Sequence, residues 1–235
     1  MRLAWPRLNS PTALRWVLAI LVSTAGAALV STVGVAVAGS IPGVGTVFTP
    51  RDMAAWDERN FAGRTEYEVV EMAGREALEA RCDNAGSALY LDREVDLRET
   101  PVMEWSWQVE GTFGADIDES VKAGDDFPAR VYVVVDGGLM RWRTRAVTYV
   151  WSSATEKLSD WPNPYASQAR MVAMRSGPPE QPGSWKNERR NVRKDFRRFH
   201  GRDLDAIDGV ALMTDCDDLE STARAWYGEI RFVPE

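Results

Sequence analysis

The sequence predicts a mainly β protein: an antiparallel β-sandwich or jelly-roll-like domain with one or two short helices, behind an N-terminal hydrophobic segment. Three observations lead there. Apolar residues recur with period two along most of the chain, only two stretches carry a helical period, and the one long uncharged apolar run stands at the start.

The N-terminal segment comes first. Arg2, Arg7 and Arg15 precede "WVLAILVSTAGAALVSTVGVAVA", Trp16–Ala38, which contains no charged residue. A basic start, an apolar run and the small-x-small ending Ala36-Val37-Ala38 describe an export signal. The run of about 23 residues exceeds the usual ~7–15 of a signal core and reaches the ~20 of a membrane span. Residues 1–38 are therefore expected to be a signal peptide or an uncleaved membrane anchor, and 39–49 ("GSIPGVGTVFT") a Gly/Pro linker. Residues 50–235 are expected to form the β-sandwich, placed in the periplasm or anchored to the inner membrane facing it.

The strand signals follow. In Val102–Val109, Met103, Trp105, Trp107 and Val109 alternate with Glu104, Ser106 and Gln108. In Arg130–Asp136, Val131, Val133 and Val135 line one face, with Arg130, Tyr132 and Val134 on the other. Further strands are expected at Thr65–Met72, Ala77–Arg81, Ala88–Leu91, Arg145–Trp151, Met171–Arg175, Gly209–Met213 and Ala225–Phe232, punctuated by Gly, Pro, Asp and Asn. Helices are expected at Asp52–Asn60 and Asn191–Phe199. The second places Val192, Phe196 and Phe199 on one face, with Asn191 as N-cap and Gly201 beyond its end.

Without the N-terminal segment the chain holds 25 basic against 35 acidic residues, a net charge of −10. Such a domain repels nucleic acid, so no nucleic-acid partner is expected. Two cysteines, Cys82 and Cys216, fit neither a CxxC nor a metal-ligand spacing. Whether they pair is left open by the sequence.

Several segments, "GDDFPARVYVVV", "YVWSS", "NPY", "RSG", "GVALMTDCDD" and "AWYGEIRF", together with Trp185, Glu188, Arg190, Asn191, Val192, Asp195 and Phe196, resemble the motifs of the DUF3047 family. The resemblance runs from about Trp56 to Phe232. It implies an exported bacterial envelope protein with a sandwich-like β domain, and brings no established activity. The chain departs from the family pattern at "MTDCDDLES", so uses of Cys216 or Asp218 are particular to this protein.

Four groups of residues could carry chemistry. Asp125, Asp126 and Arg130 stand before and on a strand. There they would hold a ligand's hydroxyls or carboxylate, or else Asp126 caps a turn while Arg130 pairs with a neighbouring acid. In "TDCDD", Asp215 and Asp217 share a strand face and Asp218 joins them across a turn. Calcium on Asp215, Asp217 and Asp218 would neutralise them, as would Arg130 or Arg190. Glu188 and Arg190, with Trp185, Asn191 and Asp195, approach a helix N-terminus, which favours anions and equally favours a cap. Trp105 and Trp107 fit the core, whereas Trp142, Trp151, Trp161 and Trp185 fall near strand ends or in loops, where aromatics stack on sugar rings. His200 ends a helix among arginines, and no GxSxG occurs, which leaves serine-type catalysis without support.

The expected function is a non-catalytic carbohydrate- or glycan-binding module of the cell envelope. Its ligand residues would be Asp125, Asp126, Arg130, Tyr132, Trp151, Trp161, Glu188, Arg190, Asp215 and Asp217. The alternatives are a glycan hydrolase or lyase using paired carboxylates, and a structural envelope protein that binds another protein. Calcium is the one cofactor with any support, and a membrane contact through the N-terminal segment follows if that segment stays uncleaved.

Overall fold

The structure is a computed structural model that describes residues 45–235, Ala73 excepted. The segment expected at 1–38 and the first residues of the 39–49 linker lie outside the described residues. In chain order the elements are β1 (Val47–Phe48), α1 (Pro50–Ala54), β2 (Asp57–Ala62), β3 (Glu66–Met72), β4 (Arg75–Asp83), β5 (Gly86–Asp96), β6 (Val102–Val109), β7 (Ala129–Val135), β8 (Arg145–Ser152), β9 (Asp160–Pro162), β10 (Ala169–Ser176), β11 (Lys186–Asn191), α2 (Val192–His200), β12 (Ala206–Asp215) and β13 (Thr222–Val233). Among the described residues no helix is long and apolar enough to cross a membrane.

The strands build two sheets that pack face to face. One runs β11-β6-β13-β4-β3 with β1 joined to β13; the other runs β2-β5-β12-β7-β8-β10-β9. Pairing is antiparallel apart from β8 with β10. The period-two pattern explains the core. Val131, Val133 and Val135 point between the sheets beside Val147, Tyr149, Trp151, Val210 and Leu212. They meet Met103, Trp105, Trp107 and Val109 of β6. Trp105 and Trp107 stand edge to face at 5.4 Å, Trp107 lies 6.1 Å from Trp151, and Trp105 lies 5.2 Å from Tyr149. Burying apolar side chains of this size stabilises the fold by ~1.5–3 kcal/mol each.

The second expected helix forms as α2. Asn191 Oδ1 accepts the Lys194 N–H at 2.9 Å, and Gly201 ends the helix in the left-handed region at φ 63°. Val192 and Phe196 bury against β6 and β8. The first expected helix differs. Thr49 and Asp52 form a reciprocal cap, yet α1 stops at Ala54, and Asp57–Ala62 becomes strand β2. β2 and β11 read "DERNFA" and "KNERRN" and escape the period-two search for one reason. Both lie at sheet edges and carry charged or polar residues on both faces, some exposed and some buried, so no apolar alternation marks them. β1 pairs Val47 and Phe48 with Arg231 and Ile230, so the sheet begins inside the stretch expected as linker.

Cys82 and Cys216 form a disulfide across 134 residues of sequence, joining the end of β4 to the turn after β12. In the chain-entropy picture a crosslink over so long a loop stabilises by ~4–5 kcal/mol.

Candidate functional site

The face of the seven-stranded sheet turned away from the core carries the site. Its residues are set by register. Arg59, Ala88, Met213 and Arg130 form one cross-strand row, and Tyr90, Ala211, Tyr132 and Thr148 form the next. Ala88, Ala146, Ala169 and Ala211 are too small to fill the space above the sheet. The result is a cavity of about 190 Å³. Phe61, Tyr90, Tyr132, Tyr165 and Met213 wall it. At one end it is polar, where Asp125, Arg130, Asn163, Asp215, Asp217 and Asp218 converge from the starts and ends of strands.

Arg130 organises that polar end. Its Nε donates to Asp215 Oδ1 at 2.8 Å, and its Nη2 donates to both Asp215 Oδ2 and the Asp125 carbonyl. Asp125 Oδ2 lies 3.5 Å from the guanidinium, which stacks over the Phe127 ring at 4.6 Å. Asp215 Oδ1 also accepts the Phe127 N–H at 3.1 Å. Asp126 accepts the Leu219 N–H at 2.7 Å, so it caps the turn carrying Asp217 and Asp218 rather than its own. Asn163 donates to Asp125 Oδ2 at 3.0 Å, and the Tyr165 hydroxyl donates to both oxygens of Asp218. Gly86 leaves room for this turn: a Cβ there would come 2.5 Å from Asp217 Oδ1.

Burial pushes the Asp125 and Asp126 carboxyls up to about 6, against the opposing pull of the Arg130 charge. Burial likewise pushes the Tyr132 and Tyr165 phenols up, so both stay hydroxyls. Three residues lining the cavity keep buried polar atoms with no partner among the described residues: Arg59 Nε, Asp125 Oδ1 and Thr148 Oγ1. Buried polar atoms are nearly always hydrogen-bonded, so three exceptions around one cavity call for an explanation.

Of the residues expected at a site, the structure brings together Asp125, Asp126, Arg130, Tyr132, Asp215, Asp217 and Asp218. Four stand elsewhere. Trp151 points inward and is 1% exposed, because its place on β8 has the parity of the core. Trp161 is buried against Phe127, with its indole N–H given to the Glu119 carbonyl. Glu188 accepts from Trp107 Nε1 at 3.1 Å and from Arg175 at 2.6 Å, on the other sheet. Arg190 pairs with Asp195, which also accepts the Tyr149 hydroxyl at 2.7 Å. These last two thus brace strands and a helix: Glu188 as an acceptor and Arg190 as a donor. The acidic group suited by distance to a cation is Asp126, Asp215 and Asp217, with ligand atoms within 4.8 Å of one another; Asp218 is instead held by Tyr165. Arg130 already supplies a positive charge there.

Sequence reasoning missed Arg59, Tyr90, Thr148 and the alanine floor. The alanines had a readable signal, since Ala88 and Ala211 are small residues on the non-core parity of their strands. Arg59 had none, because its strand was not recognised.

Among solved structures, the chain is similar to the glycoside hydrolase domain of Endo-D from Streptococcus pneumoniae R6 (9% identity, TM-score 0.36, 76% of this chain and 21% of that one). It is also similar to an exo-β-agarase (11% identity, TM-score 0.36, 82% and 25%). A third is the low-affinity xylan-binding module CBM86 from Roseburia intestinalis (14% identity, TM-score 0.32, 82% and 97%). The chain thus spans a fifth to a quarter of the first two. No curated protein matches it. Over residues 54–231, which hold nearly all of the sandwich and its cavity, the chain belongs to DUF3047, a family described as of unknown function.

Proposed function

We propose that the outward cavity is a carbohydrate site and that the protein is an exported glycan-binding β-sandwich of the cell envelope. The observation that carries this reading is the set of unpartnered polar atoms in an apolar, aromatic-walled space. Arg59 Nε is a donor, Asp125 Oδ1 an acceptor and Thr148 Oγ1 both. A sugar ring offers apolar C–H faces to tyrosines and hydroxyls to such atoms. Drug-sized pockets run to ~300–1,000 Å³. A cavity of about 190 Å³ therefore suits one ring of a glycan rather than several. Four aspartates against Arg130 and Arg59 favour a neutral or amine-bearing sugar over an acidic one. The basic, apolar N-terminus supports export, as does the disulfide, because disulfides persist in oxidising compartments. Residues 1–38 then serve as signal or anchor ahead of the 39–49 linker and the 50–235 domain.

The test is a glycan array followed by calorimetry on wild type and Thr148→Val. The variant removes a hydroxyl that none of the described residues bonds, so its melting point should equal or exceed that of wild type. Its affinity should fall about fivefold, the worth of one hydrogen bond of ~1 kcal/mol. Unchanged affinity for a bound glycan would place the site elsewhere.

A second reading, a glycan hydrolase, is favoured by Asp125 alone: a buried carboxyl with one free oxygen and a raised proton affinity suits a general acid. Reducing-sugar release abolished in Asp125→Asn would replace the binding reading with this one. Calcium on Asp126, Asp215 and Asp217 competes with Arg130 for the Asp215 oxygens. Melting curves with calcium and with chelator should therefore coincide, and a rise with calcium would add the ion to the site.

A further inference from the structure

The turn joining β7 to β8, residues 136–144, reads "DGGLMRWRT" and holds three of the exposed large apolar side chains of the described residues. Leu139 is 103% exposed, Trp142 63% and Met140 37%. In a soluble chain such side chains occur singly, whereas here they occupy one tip within four residues.

The tip is built, not left over. At its base the Asp136 N–H donates to Asp208 Oδ2 at 2.7 Å, and Gly137 N–H donates to Thr144 Oγ1 at 3.0 Å. Above that, the Met140 N–H bonds the Gly137 carbonyl at 3.1 Å and the Arg143 N–H bonds the Met140 carbonyl at 2.7 Å. Gly137 admits the close approach, since a Cβ would fall 2.3 Å from the Met140 carbonyl oxygen, and Gly138 turns the chain at φ 59°. Polar bonds thus close the neck and leave the apolar side chains outward.

Charge surrounds the tip. Arg141 and Arg143 interleave with Met140 and Trp142 in sequence. Arg145 anchors to the Trp142 carbonyl at 2.8 Å, and Arg202 reaches the Arg143 carbonyl at 3.4 Å. This is a basic spot on a domain with ten more acids than bases.

We infer that this turn docks on an anionic phospholipid surface, with Leu139, Met140 and Trp142 entering the headgroup boundary and Arg143, Arg145 and Arg202 meeting the phosphates. A tip of three side chains is too small for a stable protein interface, which takes ~800 Å² per partner. It has the composition of an interfacial anchor: Trp and Leu for the apolar boundary, arginines for anionic lipid. One apolar element with a basic cluster gives weak, reversible binding, which a second signal at the N-terminus would make lasting. The turn lies at the end of β7 opposite Asp125 and Arg130, so docking would leave the polar end of the cavity pointing away from the bilayer.

Hydrogen exchange of the whole chain tests this, because it reads the turn regardless of how the N-terminal segment engages a bilayer. Vesicles of phosphatidylcholine containing phosphatidylglycerol should slow exchange at residues 137–143 by about tenfold or more, as two or more arginines near the surface imply. Pure phosphatidylcholine should slow it less, and high salt should reverse most of the effect. The Leu139→Ser, Trp142→Ser double variant should melt like wild type and lose the protection. Unchanged exchange with anionic vesicles, protection retained by the double variant, or equal protection on neutral vesicles would each overturn the inference. So would protection that rises with protein concentration without vesicles, which would assign the tip to a second copy of the chain.

Discussion

Each sheet carries a buried acid among arginines on its outward face, and the two are built differently. On the six-stranded sheet Glu79 accepts from Trp226 Nε1 at 2.9 Å, from Arg224 Nε at 2.8 Å and from Arg81. Its arginines are two-fifths exposed, and their other nitrogens pair with the exposed Glu66, Glu68 and Glu110. On the seven-stranded sheet Arg130 and Asp215 are both almost wholly buried, and their neighbours Asp125 and Asp126 each keep one oxygen without a partner. Glu79 ties two strands together. The Arg130 group does that too, but beside a cavity and with bonding capacity left over. A buried acid whose lone pairs are engaged is a brace, and one with capacity to spare beside a cavity is a candidate site.

The sharpest way to break this comparison is to remove one arginine from each network. Arg130→Ala strands Asp215 in the interior and should cost ~3–5 kcal/mol in chemical denaturation. Arg224→Ala should cost less than ~1 kcal/mol, because its partner keeps Trp226 and Arg81 and its own head is hydrated. Equal losses would make the two networks the same kind of brace.

The disulfide comes next. Cys82→Ser with Cys216→Ser should cost ~2–5 kcal/mol and, unlike Arg224→Ala, should also weaken glycan binding. Cys216 begins the turn that presents Asp217 and Asp218 to the cavity, so its release loosens one wall.

Acidity separates the networks by a smaller margin. Asp125 and Asp126 hold their protons up to about pH 6 when folded, against 3.8 for the ordinary carboxyl. The folded state thus binds protons more tightly than the unfolded chain. Their contribution is full below about pH 3.8 and is lost as the pH rises through about 6. These two groups should lower stability between those limits by on the order of 1–3 kcal/mol. The double variant Asp125→Asn, Asp126→Asn should flatten that slope in pH-dependent melts, and a slope that persists would put its origin elsewhere. Thr148→Val is the smallest case: no loss of stability, and a loss of binding alone.

How far the site was legible follows from where each residue stands. Arg130 and Tyr132 were readable because the valine ridge of β7 fixes the opposite parity, and "TDCDD" because β12 carries the same alternation. Trp151 misled, since an aromatic near a strand end reads alike whether it faces the core or the solvent. Glu188 and Arg190 misled because "KNERRN" hides an edge strand whose charges are spent on β6 and α2. Thr148 carried no signal at all: a lone threonine on a strand becomes notable only when none of the described residues bonds its hydroxyl.

The sequence by itself determined the class of fold and the family, because period-two burial and strand-bounded motifs are local patterns along the chain. The same local patterns placed the Asn191 cap and the left-handed Gly201. Only the tertiary structure decided which strands are neighbours, and with that the Arg130–Asp215 pair, the Cys82–Cys216 crosslink and the alanine-floored cavity. The pair and the crosslink join residues 85 and 134 apart in sequence. A linear pattern does not encode such contacts, because side chains meet across a sheet by register and not by spacing in the chain.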